Sequence, residues 1–332
     1  MHGWRTVRAS ACIMLFWAAS AAGLSPMQAQ EFPDAADDEL AADNSWLPGC
    51  AGRCSNSNRK TLLQWSYGTS FGGGPNLDEP LVTDRPDFTE AGSTVGRGVT
   101  QLEFGYTYFH DAGEGESTAV HSIGEPLLRY GIGFDWLEFR IAANYLREVR
   151  QSDEAGRLSD GGFSDLYLGL KIGLTPQEGI LPEMALVPQM LVPVGSEPFA
   201  GLEEPLPGLT RPRKDRVLPG LNWLYGWDLN ERFSLAGSTQ VNLDVDAAAN
   251  RCYTLFAQSV TVGFSVTERL KGYVEWYGLM PSGAEQVKPE YYFNGGPVYM
   301  VTNNLQLDFR AGLGLNEAAQ DYFLGTGASI RF

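Results

Sequence analysis

No stretch of this 332-residue chain is long and apolar enough to cross a bilayer as a helix, which takes about 20 consecutive apolar residues. The nearest candidate, Ala11 to Leu24, follows Arg5 and Arg8 and gives way to small and polar residues ending at Ala29. That layout reads as a secretory signal peptide over residues 1–29. If the rest of the chain crosses a membrane, it does so as strands.

Histidine, cysteine and net positive charge are also scarce. Only His110 and His121 follow the leader, and His121 stands next to Ser122. Neighbouring strand positions point to opposite faces, so the two cannot form a nucleophile and base pair. The reading is therefore no enzyme, no catalytic residues and no cofactor, with His121 placed at a loop end near the outer surface. Of the 4 cysteines, Cys12 lies in the leader and Cys252 stands alone. Cys50 and Cys54 are close enough for a small disulfide loop in an oxidising compartment, but no further metal ligand lies near them. With 24 Lys and Arg against 40 Asp and Glu, the net charge of -16 excludes nucleic acid as a partner.

What the chain has is glycine, aromatics and alternation. Its 39 Gly, 14 Tyr, 17 Phe and 8 Trp suit many strands with small turns and interfacial rings. A mean hydropathy of -0.19 fits a soluble protein or a barrel equally well, because a barrel alternates lipid-facing with lumen-facing residues. The final strand puts Tyr322, Leu324, Thr326, Ala328, Ile330 and Phe332 on one face, with Gly325, Gly327, Ser329 and Arg331 on the other. In 304–316, Leu305, Leu307, Phe309 and Leu313 oppose Gln306, Asp308, Arg310 and Gly312.

About twelve segments of this kind follow Gly98, each long enough for a tilted membrane strand. Their connections alternate between tight, as at Gly133–Phe134, Asn230–Glu231 and Thr302–Asn303, and long, as at 111–119 and 195–216. Short turns on one rim and long loops on the other are the habit of an outer-membrane barrel with both ends in the periplasm.

The expected fold is thus all-β, a transmembrane antiparallel β-barrel of about twelve strands over 98–332. An acidic linker over 30–80 precedes it, poor in large apolar side chains and read as disordered, and 81–97 is a candidate latch or plug. Inward faces collect Glu103, Glu125, Arg129, Glu138, Arg140, Asp165, Lys171, Glu275, Asp308, Arg310 and Arg331, with Tyr106, Trp136, Tyr167, Tyr273 and Tyr277 as candidate stacking rings. These charges either pair off as a hydrated filling or set the constriction of a solute path. In TDRPDFTE, Pro86 keeps its neighbours out of a central ladder, while Asp84, Arg85, Asp87 and Glu90 are free to pair with barrel charges. This segment is either a latch at the periplasmic mouth, with Arg85 and Asp87 as its hold, or a solvated lead-in.

TDRPDFTE, followed by QLEFGYTY and closed by NLQLDFRAGLGLNEAAQDYFLGTGASIRF, resembles the family of outer-membrane transporters named for the MetA pathway of phenol degradation. The resemblance covers residues 81–332 and implies an outer-membrane barrel for small molecules, often aromatic or hydrophobic. C-terminal Phe332 resembles the ending that barrel assembly machinery reads. The partners implied are outer-membrane lipid, that machinery and a small-molecule solute. A structural or adhesive barrel and a secreted soluble β-sandwich are the alternatives.

Overall fold

The computed structural model describes residues 61–63, 77–154, 156–196, 216–246, 249 and 251–332. The leader, the linker up to residue 60, Cys50, Cys54 and most of the 195–216 connection lie outside them. One antiparallel sheet of 14 segments is closed by β1, which pairs with both β14 and β2. In chain order the segments are β1 (Thr100–Gly113), β2 (Glu116–Gly131), β3 (Leu137–Ala142), β4 (Tyr145–Ser152), β5 (Gly156–Phe163), β6 (Leu166–Thr175) and β7 (Glu183–Val192). Then come β8 (Leu218–Asp228), β9 (Phe233–Asp246), β10 (Arg251–Ser265), β11 (Leu270–Ser282), β12 (Glu290–Thr302), β13 (Leu305–Gly314) and β14 (Tyr322–Arg331). The long β2 pairs with β3 in its lower half and β4 in its upper half, while β3 pairs with β6 and β4 with β5. Since β3 and β4 make one stave and β5 and β6 another, the 14 segments form a closed barrel of 12 staves. A soluble sandwich is thereby set aside.

The barrel is apolar outside and charged inside. Phe104, Ile123, Leu170, Trp223, Phe256, Phe293, Leu307, Phe309 and Leu324 are exposed on its outer surface, whereas Glu103, Arg129, Glu138, Arg140 and Lys171 are each 0% exposed. In water this arrangement would expose apolar area at about 25 cal/mol per Å² while burying charge, so its natural solvent is a bilayer. Among the described residues no helix is long and apolar enough to cross a membrane.

Thr100 and Phe332 lie on one rim, with the connections 132–136, 176–182, 229–232, 266–269 and 303–304. On the other rim the expected loops are shorter than the sequence reading had them. β1 continues to Gly113 and β2 starts at Glu116, so most of 111–119 is paired strand, and β4 and β5 extend likewise through 145–163. Alternation fades there because both faces meet polar surroundings, yet the hydrogen-bond ladder needs no alternation to continue.

β2 also carries a bulge. Its register with β1 shifts between Glu103 and Gly105, and Glu125 there has φ of +35°, an L-residue in left-handed backbone. Such a residue costs roughly 1–2 kcal/mol. The kink moves the inward positions from Val120 and Ser122 to Glu125, Leu127 and Arg129.

Candidate functional site

The segment before β1 runs inside the barrel. Its approach is tied to the β13–β14 rim: Leu81 N–H donates to the Asn303 carbonyl at 2.7 Å, and Arg331 Nη2 donates to the carbonyls of Leu77 at 2.9 Å and Glu79 at 2.7 Å. The return is tied to the same rim at the β2–β3 turn, where Thr94 Oγ1 donates to the Asp135 carbonyl at 2.6 Å and Gly98 N–H to the Gly131 carbonyl at 2.9 Å. Between these anchors the chain cannot join the sheet at Pro86, which lacks an N–H, and it folds as an irregular loop gripped by wall side chains.

Asp84 is the most heavily held residue of that loop. Lys171 Nζ lies 2.7 Å from Oδ1, while Arg140 Nη2 at 2.7 Å and Arg129 Nη1 at 3.3 Å reach Oδ2. Asp84 N–H donates to Glu103, which Arg129 also pairs at 3.0 Å, and Arg129 Nε reaches Glu138 at 2.7 Å. Burial opposes ionisation of Asp84, but Arg129, Lys171 and Arg140 more than offset it and hold the carboxyl below the usual range. Glu90 adds a second carboxylate from the same segment, 2.8 Å from Arg140 Nη1.

Arg85 turns toward β2, β13 and β14. Its Nη1 is 2.8 Å from Glu125, its Nη2 and Nε face Asp308 at 3.3 and 3.4 Å, and Nη2 also donates to the Thr326 carbonyl. The guanidinium lies flat against Gly105 and Gly327, where a Cβ on either would overlap it. Arg310 reinforces this side, donating to the Pro86 carbonyl at 3.0 Å and to Thr107 Oγ1 at 2.7 Å.

The loop tip is held by Glu275, which accepts from the backbone N–H groups of Phe88 and Thr89, both at 2.7 Å, and from Asn294 Nδ2 and Thr261 Oγ1. Phe88 stacks on Tyr277 at 4.5 Å, and Tyr277 stacks on Tyr292 at 4.8 Å. Tyr292, Phe323 and Phe109 continue this ring contact into the apolar cluster of the upper lumen.

The structure thus brings Asp84, Arg85 and Glu90 together with Glu103, Glu125, Arg129, Glu138, Arg140, Lys171, Asp308 and Arg310 in ion pairs, and joins Glu275 by hydrogen bonds. Arg331 serves the rim. Asp165 faces inward near the far rim, where it accepts from Gly195 N–H at 3.2 Å, apart from the plug.

Four placements differ from the sequence reading. Asp87 is not half of the hold: among the described residues no cation lies within ion-pair distance of it. Burial and then the Glu275 charge push its carboxyl well above the usual range. Tyr106 is on the outer face, its hydroxyl 2.7 Å from His121 Nδ1, so it does not line the lumen, while Trp136 stacks on Phe134 in the rim turn 132–136. His121 lies within β2 and not at a loop end, while its neighbour Ser122 is buried on the inner face. The segment also reaches further than a mouth latch, since it touches β1, β2, β3, β6, β10, β11, β13 and β14 from inside.

Gln101, Thr107, Ser259, Thr261 and Asn294 are neutral grips absent from the expected set. Alternation alone would have found them, because each occupies an inward position of its strand. Gly105 and Gly327 had no such signal, since their role depends on an arginine from a distant segment.

Several outer-membrane proteins of known structure are similar in fold. The translocator domain of the autotransporter NalP from Neisseria meningitidis aligns with a TM-score of 0.46 and 9% identity, over 71% of this chain and 89% of that one. The β domain of the Bordetella autotransporter BrkA aligns at 0.44 and 11%, over 71% and 100%. The CymD monoaromatic hydrocarbon channel aligns at 0.37 and 11%, over 71% and 88%. No curated protein sequence matches the chain. The family described as "Putative MetA-pathway of phenol degradation" matches residues 83–332, from the segment before β1 to the final strand, and the chain belongs to that family.

Proposed function

We propose that this protein is a gated outer-membrane channel for small solutes, aromatic ones among them, with residues 81–97 as its plug. The observation that carries the reading is the Arg85 contact: a side chain from outside the sheet bridges Glu125 on β2 and Asp308 on β13 across two wall glycines. A lumen that served only as filling would have no need of a separate chain segment. Between its two rim anchors the plug is held by wall side chains and not by a ladder, so it can leave without unzipping the barrel. The aromatic preference is supported by the Phe88, Tyr277 and Tyr292 stack and by the family.

Single-channel recording tests this proposal. Arg85→Ala takes from buried Asp308 its ion-pair partner and leaves Glu125 with Arg310 alone, a loss of about 3–5 kcal/mol for the inserted plug. The variant should show a larger or longer-lived conductance than the parent, with heat-modifiable migration unchanged as the sign of a folded barrel. Equal conductance would reduce the segment to a tether.

A further inference from the structure

We propose that Lys171, Arg140 and Arg129 form a carboxylate subsite which Asp84 occupies in the plugged state, so that a small aromatic carboxylate opens the channel by competing for it. This rests on the channel reading and adds the solute class and its mode of gating.

The subsite belongs to the wall, and its occupant does not. Lys171 stands on β6, Arg140 on β3 and Arg129 on β2, all 0% exposed, while Asp84 comes from the segment that precedes the sheet. With Asp84 and Glu90 withdrawn, Glu103 and Glu138 remain against three cations, and three less two leaves one positive charge. The deficit falls on Lys171, whose ion pair among the described residues is with Asp84 alone. A strongly hydrated ammonium on an inner wall is a poor neighbour for a neutral apolar solute and a good one for an anion. The fork of Arg140 beside it supplies the planar donors a carboxylate takes.

The aromatic part has its own support. Arg140 Nη1 donates to Tyr167 Oη at 3.2 Å, its guanidinium lies 5.8 Å from the Tyr167 ring centroid, and Tyr167 packs with Leu127, Ala142 and Leu191. An apolar patch thus adjoins the cations, and the plug itself carries both groups of such a solute, a carboxylate in Asp84 and a stacking ring in Phe88. A tethered carboxylate acts at an effective concentration on the order of millimolar, so a free one must reach that range to displace it.

The test records the full chain in planar bilayers with benzoate, benzyl alcohol or acetate added at matched concentrations. Benzoate should raise conductance several-fold at concentrations on the order of millimolar, with benzyl alcohol and acetate having much smaller effects. Asp84→Asn should conduct without benzoate, and Lys171→Met combined with Asp84→Asn should lose the benzoate dependence of reversal potential that Asp84→Asn retains. Benzyl alcohol matching benzoate, acetate matching benzoate, or a Lys171→Met response equal to that of its parent overturns the subsite while leaving a channel in place. No conductance in any variant, with heat-modifiable migration intact, overturns the channel reading itself and the subsite with it.

Discussion

Asp84 and Asp87 share one loop, yet their surroundings move them in opposite directions, and the pH response of the plug follows. Asp87 holds its proton more firmly inside the lumen than in water, because burial and Glu275 both oppose its charge. Its contribution to insertion is complete at low pH and is lost as pH rises from the ordinary carboxylate value of 3.8 toward the raised one. The loss runs at about 1.4 kcal/mol per pH unit. Asp84 behaves conversely: its contribution is complete above 3.8 and is lost only in stronger acid, as pH falls through its lowered value. Channel conductance should therefore fall as pH drops through the raised value of Asp87 toward 3.8, and Asp87→Asn should flatten that slope. Recordings across a pH series check this, and an unchanged slope in Asp87→Asn would place the titrating group elsewhere.

Along an element, depth in the membrane decides what a substitution costs. In β13, Leu307, Phe309 and Leu313 are exposed to the outside, while Gln306 and Asp308 are buried within, and Phe309 lies at the middle of the strand. Arg in place of Phe309 should cost roughly 2–4 kcal/mol, falling toward 0–1 near the rims for Leu307 or Leu313. Gln306→Arg should be milder than Phe309→Arg, since its side chain enters a polar lumen and not lipid, although it loses a bond to Thr83 Oγ1. Folding titrations into lipid vesicles give the order, and a reversed order would mean that the faces are exchanged. Gly312 is a lumen position with different limits, because a Cβ there would strike the Phe323 ring. Its face was legible from alternation, but its neighbour was not, for ring packing across staves depends on register.

Closure is a property of the whole molecule, and Phe332 extends the seam that makes it. Phe332 N–H donates to the Thr100 carbonyl at 2.8 Å and its carbonyl accepts from Thr100 N–H at 3.3 Å, completing the seam that β14 forms with β1 from Gln101 to His110. The ring itself is exposed, where it can meet lipid or an assembly factor. Deleting Phe332 should remove two ladder bonds and that ring, and should reduce outer-membrane yield and the fraction showing heat-modifiable migration. Undiminished yield for the deletion would count against an assembly role.

The period of two, the turn residues and the final aromatic determine by themselves that this chain forms strands, which face of each is apolar, and that about twelve of them follow Gly98. They do so because side-chain direction in a strand is a local property. Local rules stop where partners come from far along the chain. Only the tertiary structure decided that β1 and β2 run on as a paired hairpin above the apolar belt, and that Glu125 sits on a bulge aimed at Arg85. It likewise decided that Asp84 and not Asp87 is the anchor of the plug, since three cations from β2, β3 and β6 converge on Asp84 while Asp87 settles beside Glu275. The two carboxylates look alike in TDRPDFTE; closing the barrel around the loop is what surrounds one with positive charge and the other with negative.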